Sequence, residues 1–224
     1  MRTITSLCFL ALTMTATAAR AQGVFLEKGQ PGISATAGAA TIGKAWTASI
    51  VPSFTYRGAF DVGVEATRYQ FTGGDTEHLW AIGVMPFATA YLARAENGPL
   101  PISISTTAGV QKRFFFGNGG SVNPDGWGLL LGGSAFRRID FSNTLVGIPE
   151  IFVGYDMQST TFHSSTLDSK AGARPGQQTT YAHKARVVGR ANVGFKSDNT
   201  MYTVVPYVGY ENGLMLGASI GAIF

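Results

Sequence analysis

The carboxyl end of the chain alternates between oily and small side chains, and that alternation limits what it can become. Leu214, Leu216, Ala218, Ile220, Ala222 and Phe224 share one face of a β-strand. Gly213, Met215, Gly217, Ser219 and Gly221 share the other, with Ile223 as the one apolar exception. A helix repeats every 3.6 residues and cannot produce this row. A soluble sheet would turn the oily row to a packed core and give the second row polar or charged residues. Glycine and serine instead suit a crowded interior, which leaves the oily row facing an apolar surrounding.

The same period recurs toward the amino end. Trp46, Ala48, Ile50, Pro52, Phe54 and Tyr56 lie opposite Thr47, Ser49, Ser53 and Thr55, with Val51 the sole exception. Arg57-Gly58 reads as a tight turn, after which Phe60, Val62, Val64 and Ala66 face away from Asp61, Gly63, Glu65 and Thr67. Further strands are predicted at 33–42, 79–93, 102–113, 127–138, 145–157, 185–196 and 201–210, with the triple leucine at Leu129, Leu130 and Leu131 leaving its strand ambiguous. Ten strands result, or eight if weak pairs merge.

Composition supports a membrane wall built of strands. Charged residues make up 13% of the chain, about half the ~25% usual in globular proteins, and no segment approaches the ~18–20 continuous apolar residues of a spanning helix. Arg2 followed by the apolar run Ile4 to Met14 and the small-residue site Ala19-Arg20-Ala21 predicts an export signal over residues 1–21, removed to leave Gln22 first. The single cysteine, Cys8, falls inside that signal, so the mature chain is expected to hold neither thiol nor disulfide. Of 17 basic and 13 acidic residues, dropping Arg2 and Arg20 leaves 15 against 13, an excess too small for nucleic-acid binding.

The predicted connections sort into two sets. On one side lie Arg57-Gly58, 96–99, 139–143 and 197–199, all short; on the other lie 43–44, 72–76, 117–126, Gln158 to His183 and 211–212, including the two longest. Short turns at one rim and long loops at the other are the barrel rule. With the last strand ending in the periplasm, Trp46, Trp80, Trp127 and Tyr155 fall near the outer rim. Phe54, Tyr56, Phe60, Tyr91, Phe195 and Phe224 fall near the inner one, forming two interfacial girdles.

The export signal, the alternation carried to the last residue and the terminal Phe224 resemble the small outer-membrane β-barrel proteins of Gram-negative bacteria, the OmpA-like and OmpX-like barrels. The resemblance implies an all-β fold, a closed antiparallel transmembrane up-and-down barrel over residues 32–224, behind a periplasmic lead-in at 22–31. It also implies that Phe224 is the insertion signal read by the barrel-assembly machinery, and that outer-membrane lipid and lipopolysaccharide are its surroundings. No cofactor is expected.

The inward rows carry both signs of charge: Asp61, Glu65, Glu150 and Asp156 against Arg113, Arg186, Arg190 and Lys196. They could line a narrow, porin-like passive pore. In a barrel of eight to ten strands, whose interior is about side-chain sized, they are expected instead to pair and plug it, giving a polar, blocked lumen. Three histidines bear on catalysis. His78 opens a strand at the rim. His163 and Ser165 with Asp168 resemble the His–Ser pair and acidic partner of lipid A deacylases, with Ser165 as nucleophile, His163 as base and Asp168 orienting it. Thr166 stands where that family has Asn, and the catalytic reading ranks last. No metal, phosphate-loop or dinucleotide pattern occurs. The Ser/Thr-rich segment Gln158 to His183 names no ligand but is where a surface-interacting barrel would present one.

Overall fold

The computed structural model describes residues 23–43, 45–72, 80–95, 100–116, 122–164, 177–211 and 213–224; for 122–124, 162–164, 177 and 178 only the backbone is described. The predicted export signal at 1–21 lies outside these residues. A short 3-10 helix, Gly23–Phe25, precedes strands β1 (Gly32–Ile42), β2 (Ala45–Tyr56), β3 (Phe60–Phe71), β4 (Trp80–Ala93), β5 (Ser103–Phe116), β6 (Val122–Phe136), the two-residue β7 (Ile139–Asp140), β8 (Leu145–Ser164), β9 (Gln177–Ser197), β10 (Thr200–Tyr210) and β11 (Leu214–Ile223).

Each long strand pairs antiparallel with the next, β6 pairs with β8, and β1 pairs with β11, so ten strands close on themselves with no free edge. The seam is in full register from Ser34↔Ile223 to Ile42↔Met215. Exchanged backbone bonds between Ile33 and Phe224 extend it to the last residue. The eight-strand alternative is therefore excluded. The turn at Arg57-Gly58 forms as expected: both residues have positive φ, 49° and 60°, and Ala59 N–H donates to the Tyr56 carbonyl at 2.9 Å, the backbone that joins right-twisted strands tightly.

The alternation resolves into an exposed apolar wall and a buried interior. Ile33, Ile50, Val62, Val110, Ile151, Val208 and Ile220 face outward and are exposed; they cover the cylinder with the oily row that sequence placed there. The triple leucine also resolves, because Leu130 turns inward and is buried while Leu131 is exposed.

Four features depart from expectation. Strands β8 and β9 continue to Ser164 and from Gln177, so much of the predicted loop Gln158 to His183 is hairpin; likewise β6 starts at Val122, inside the predicted loop 117–126. Serine and threonine tolerate strand pairing without giving an apolar row, which hides a strand that has left the membrane. Second, the lead-in does not lie wholly outside the barrel: Gly23, Val24 and Phe25 are buried in its mouth at the short-turn end. Third, the lumen is not uniformly polar. Ala40, Ile42, Met85, Leu130, Phe152, Val188, Tyr207 and Met215 form one buried apolar layer within it, and Val51 packs with Phe87 in another. Fourth, Tyr91 belongs to no girdle; it turns into the lumen, where its hydroxyl donates to Asp61 Oδ2 at 2.6 Å, next to a register shift between β4 and β5 at Tyr91/Ala93.

Candidate functional site

The site is the lumen and the hairpin above it. At the short-turn end the 3-10 helix is pinned from three sides. Gly23 N–H donates to Asp61 Oδ2 at 3.0 Å. Arg94 donates to the carbonyls of Leu26 at 2.7 Å and Gly23 at 3.0 Å, and through Nε to that of Gly58 at 3.0 Å. Arg138 donates to the Phe25 carbonyl at 3.3 Å and bridges to Glu27 and Asp140. Beneath these bonds Val24 and Phe25 pack on Phe136, Val146, Ile148, Met201 and Ile223. Ile223, the exception to the terminal alternation, is thus the floor on which the amino end rests.

Above this plug, Glu150 on β8 collects three donors. Ser134 Oγ lies at 2.6 Å and Arg190 Nη1 at 2.8 Å from Oε1, and Asn192 Nδ2 lies at 3.2 Å from Oε2. Asn192 also donates to the Ile148 carbonyl at 2.8 Å, and Arg190 lies against the Phe152 ring. Such a buried pair holds only because nearly every lone pair and proton is met.

Toward the long-loop end, Arg186 is the centre. Its Nη2 lies 2.6 Å from Asp156 Oδ2, its Nε 3.0 Å from Glu211 Oε2, and Lys184 Nζ stands 3.7 Å from Glu211 Oε1. Gln111 donates to the Tyr69 hydroxyl at 3.0 Å beside it. Glu65, buried on β3, accepts from Thr67 at 2.8 Å.

Seven of the eight predicted lumen charges, namely Asp61, Glu65, Arg113, Glu150, Asp156, Arg186 and Arg190, are buried. Lys196 is not: it sits exposed at the turn end of β9. Three charged residues were missed. Glu211 falls in the predicted turn 211–212, and Lys184 and Arg94 fall between a predicted strand and its connection; none lies in a segment with readable alternation. Among the described residues the buried charges are Asp61, Glu65, Glu150, Asp156 and Glu211 against Arg94, Arg113, Lys184, Arg186 and Arg190, five of each sign.

On the outside, Trp46, Trp127 and Tyr155 are exposed and Trp80 half-exposed toward the long-loop end; Tyr56, Phe195 and Phe224 are exposed at the other. The catalytic candidates fall elsewhere. The backbone of His163 pairs with Asn123 and Gln177 in the hairpin, while its side chain, together with Ser165, Asp168 and His78, lies outside the described residues. His183 is exposed on the outer face, stacked on Tyr155 at 6.0 Å. Among the described residues no group of three His, Cys, Asp or Glu could hold a metal.

No protein-family model and no curated protein matches the chain. Solved structures do. The translocator domain of the autotransporter NalP from Neisseria meningitidis matches with a TM-score of 0.59 at 9% identity, over 100% of this chain and 96% of that one. Ail, the attachment invasion locus protein of Yersinia pestis, matches with a TM-score of 0.39 at 11% identity, over 88% and 100%. The KdgM porin matches with a TM-score of 0.33 at 9% identity, over 86% and 98%. At such identities these are likenesses of fold alone, and the first carries the point: the architecture is that of outer-membrane β-barrels.

Proposed function

We propose that this protein, an integral β-barrel of the Gram-negative outer membrane, is a non-conducting scaffold that presents its β8–β9 hairpin at the cell surface. The observation behind the reading is the mismatch in strand length. β8 and β9 run for 20 and 21 residues, whereas β1, β10 and β11 have 11, 11 and 10. Ten residues at ~3.3 Å and a tilt of ~40° cross the apolar band of about 25 Å, so the other half of β8 and β9 stands clear of it. Half-buried Thr161 and exposed Thr179, joined hydroxyl to hydroxyl at 3.0 Å, sit on that projection, and a paired hairpin presents side chains more rigidly than a loose loop.

A filled lumen leaves the barrel as support. The reading assigns no ester hydrolysis to His163, Ser165 and Asp168 and no passage of solute through the cylinder. It rests on the long-loop end facing out, which single cysteines test cleanly because the expected mature chain has none. A membrane-impermeant maleimide should label Thr179→Cys on intact cells and Lys28→Cys only after permeabilisation. The reverse order would invert the barrel and remove the proposal.

A further inference from the structure

Within the ten long strands, the described charged residues on the outward rows are three: Arg68 on β3, Lys112 on β5 and Asp125 on β6. All three lie at one height. Gln70, two residues beyond Arg68, pairs with both Trp46 and Trp80, while Lys112 pairs directly with Trp127. The cations therefore sit in the aromatic belt at the long-loop end, on one patch of wall spanning β3 to β6.

Each cation rests on a ring. The Arg68 guanidinium lies 5.2 Å from the Trp80 centroid, and Trp80 is itself stacked on Phe116 at 4.3 Å. Lys112 Nζ lies 4.4 Å from the Trp127 centroid and 5.9 Å from that of Phe114. Lys112 also pairs with Asp125. No described carboxylate pairs with Arg68, so the described residues of the patch are two cations and one anion. Beside it the wall is apolar through Ile82 and Val84, which pair with Arg68 and Lys112, and below it through Val64 and Val110.

A charge on the lipid-facing side is tolerated only near the interface, where it meets headgroups. Guanidinium is planar, presents a fork of donors and favours phosphate, and its face is already occupied by an indole. We propose that this patch binds a phosphate-bearing lipid of the outer leaflet, with the phosphate on Arg68, a secondary contact at Lys112, and acyl chains along the apolar wall below. The inference rests on the outward-facing orientation proposed above. The cysteine labelling reports that orientation independently, so failure of one is distinguishable from failure of the other.

The test uses the refolded mature chain in detergent, titrated with a diphosphorylated lipid A and with the same lipid stripped of phosphate. Binding is followed by tryptophan fluorescence and by native mass spectrometry. The phosphorylated lipid should bind about tenfold more tightly, as charge-assisted pairing requires. Arg68→Gln should abolish most of that preference, Arg68→Lys should restore part, and Arg57→Gln at the far rim should leave it intact. Equal binding of the two lipids, or an undiminished preference in Arg68→Gln, would overturn the site. Inorganic phosphate at millimolar concentration should not displace the lipid; displacement would mark a simple anion site and overturn the lipid assignment. Should Arg68→Gln fail to refold, Lys112→Gln carries the same test: a reduced preference supports the site and an unchanged one refutes it.

Discussion

Glu150 shows how far this fold depends on single residues. Its carboxylate is met by Ser134, Arg190 and Asn192, so Glu150→Ala leaves a buried guanidinium without its counter-charge. That should cost about 3–5 kcal/mol, read as a lower urea midpoint for unfolding from lipid vesicles. The double variant Glu150→Leu/Arg190→Met removes both charges and should recover most of the loss, since an apolar pair of similar volume often serves as well. Gly217 is a second such point. A Cβ there would run into the ring of Tyr207, itself part of the apolar layer. Gly217→Ala should therefore destabilise by about 1–3 kcal/mol through overpacking, checked in the same unfolding assay. The terminal row of glycines was legible as crowding, but that Tyr207 crowds Gly217 while Thr36 and Thr203 crowd Gly221 was not.

At the scale of elements, ten strands were readable because lipid and lumen impose opposite demands on alternate residues. The exceptions to that alternation were equally visible, yet their meaning was hidden. Ile223 and Val51 find their partners in Phe25 and Phe87, far away in sequence, and no local pattern joins them. The hairpin ends were missed for another reason: once β8 and β9 leave the apolar band, threonine and serine on both faces erase the signal, and Lys184 went unread with them. The plug was missed because a segment as short as Gly23–Phe25 has no period at all. Its seating makes a prediction. Phe25 is buried against Val146, Ile148 and Met201, so Phe25→Ala should lower barrel stability by about 3 kcal/mol, whereas a lead-in loose in solution would tolerate the change. Heat-dependent migration in detergent gels, compared with wild type across a temperature series, reads the difference.

For the whole molecule, the decisive quantity is the charge balance inside the cylinder. Five buried acids face five buried bases, interleaved with apolar layers and closed at one end by the amino-terminal plug. A selective pore would carry an excess of one sign and a continuous wet path; here Arg186 with Asp156 and Glu211, Lys184 with Glu211, and Arg190 with Glu150 pair across the lumen, and rings and aliphatic side chains form buried apolar layers beside them. The exterior is the inverse, an apolar wall whose described charges, Arg68, Lys112 and Asp125, lie in its aromatic belt. On the reading proposed above, these features suit a support for the raised hairpin rather than a channel. The most direct test is single-channel recording of the refolded mature chain in a planar lipid bilayer. The expected result is a quiet baseline with no steady openings at either polarity; sustained, uniform conductance steps that vanish when the protein is omitted would contradict it.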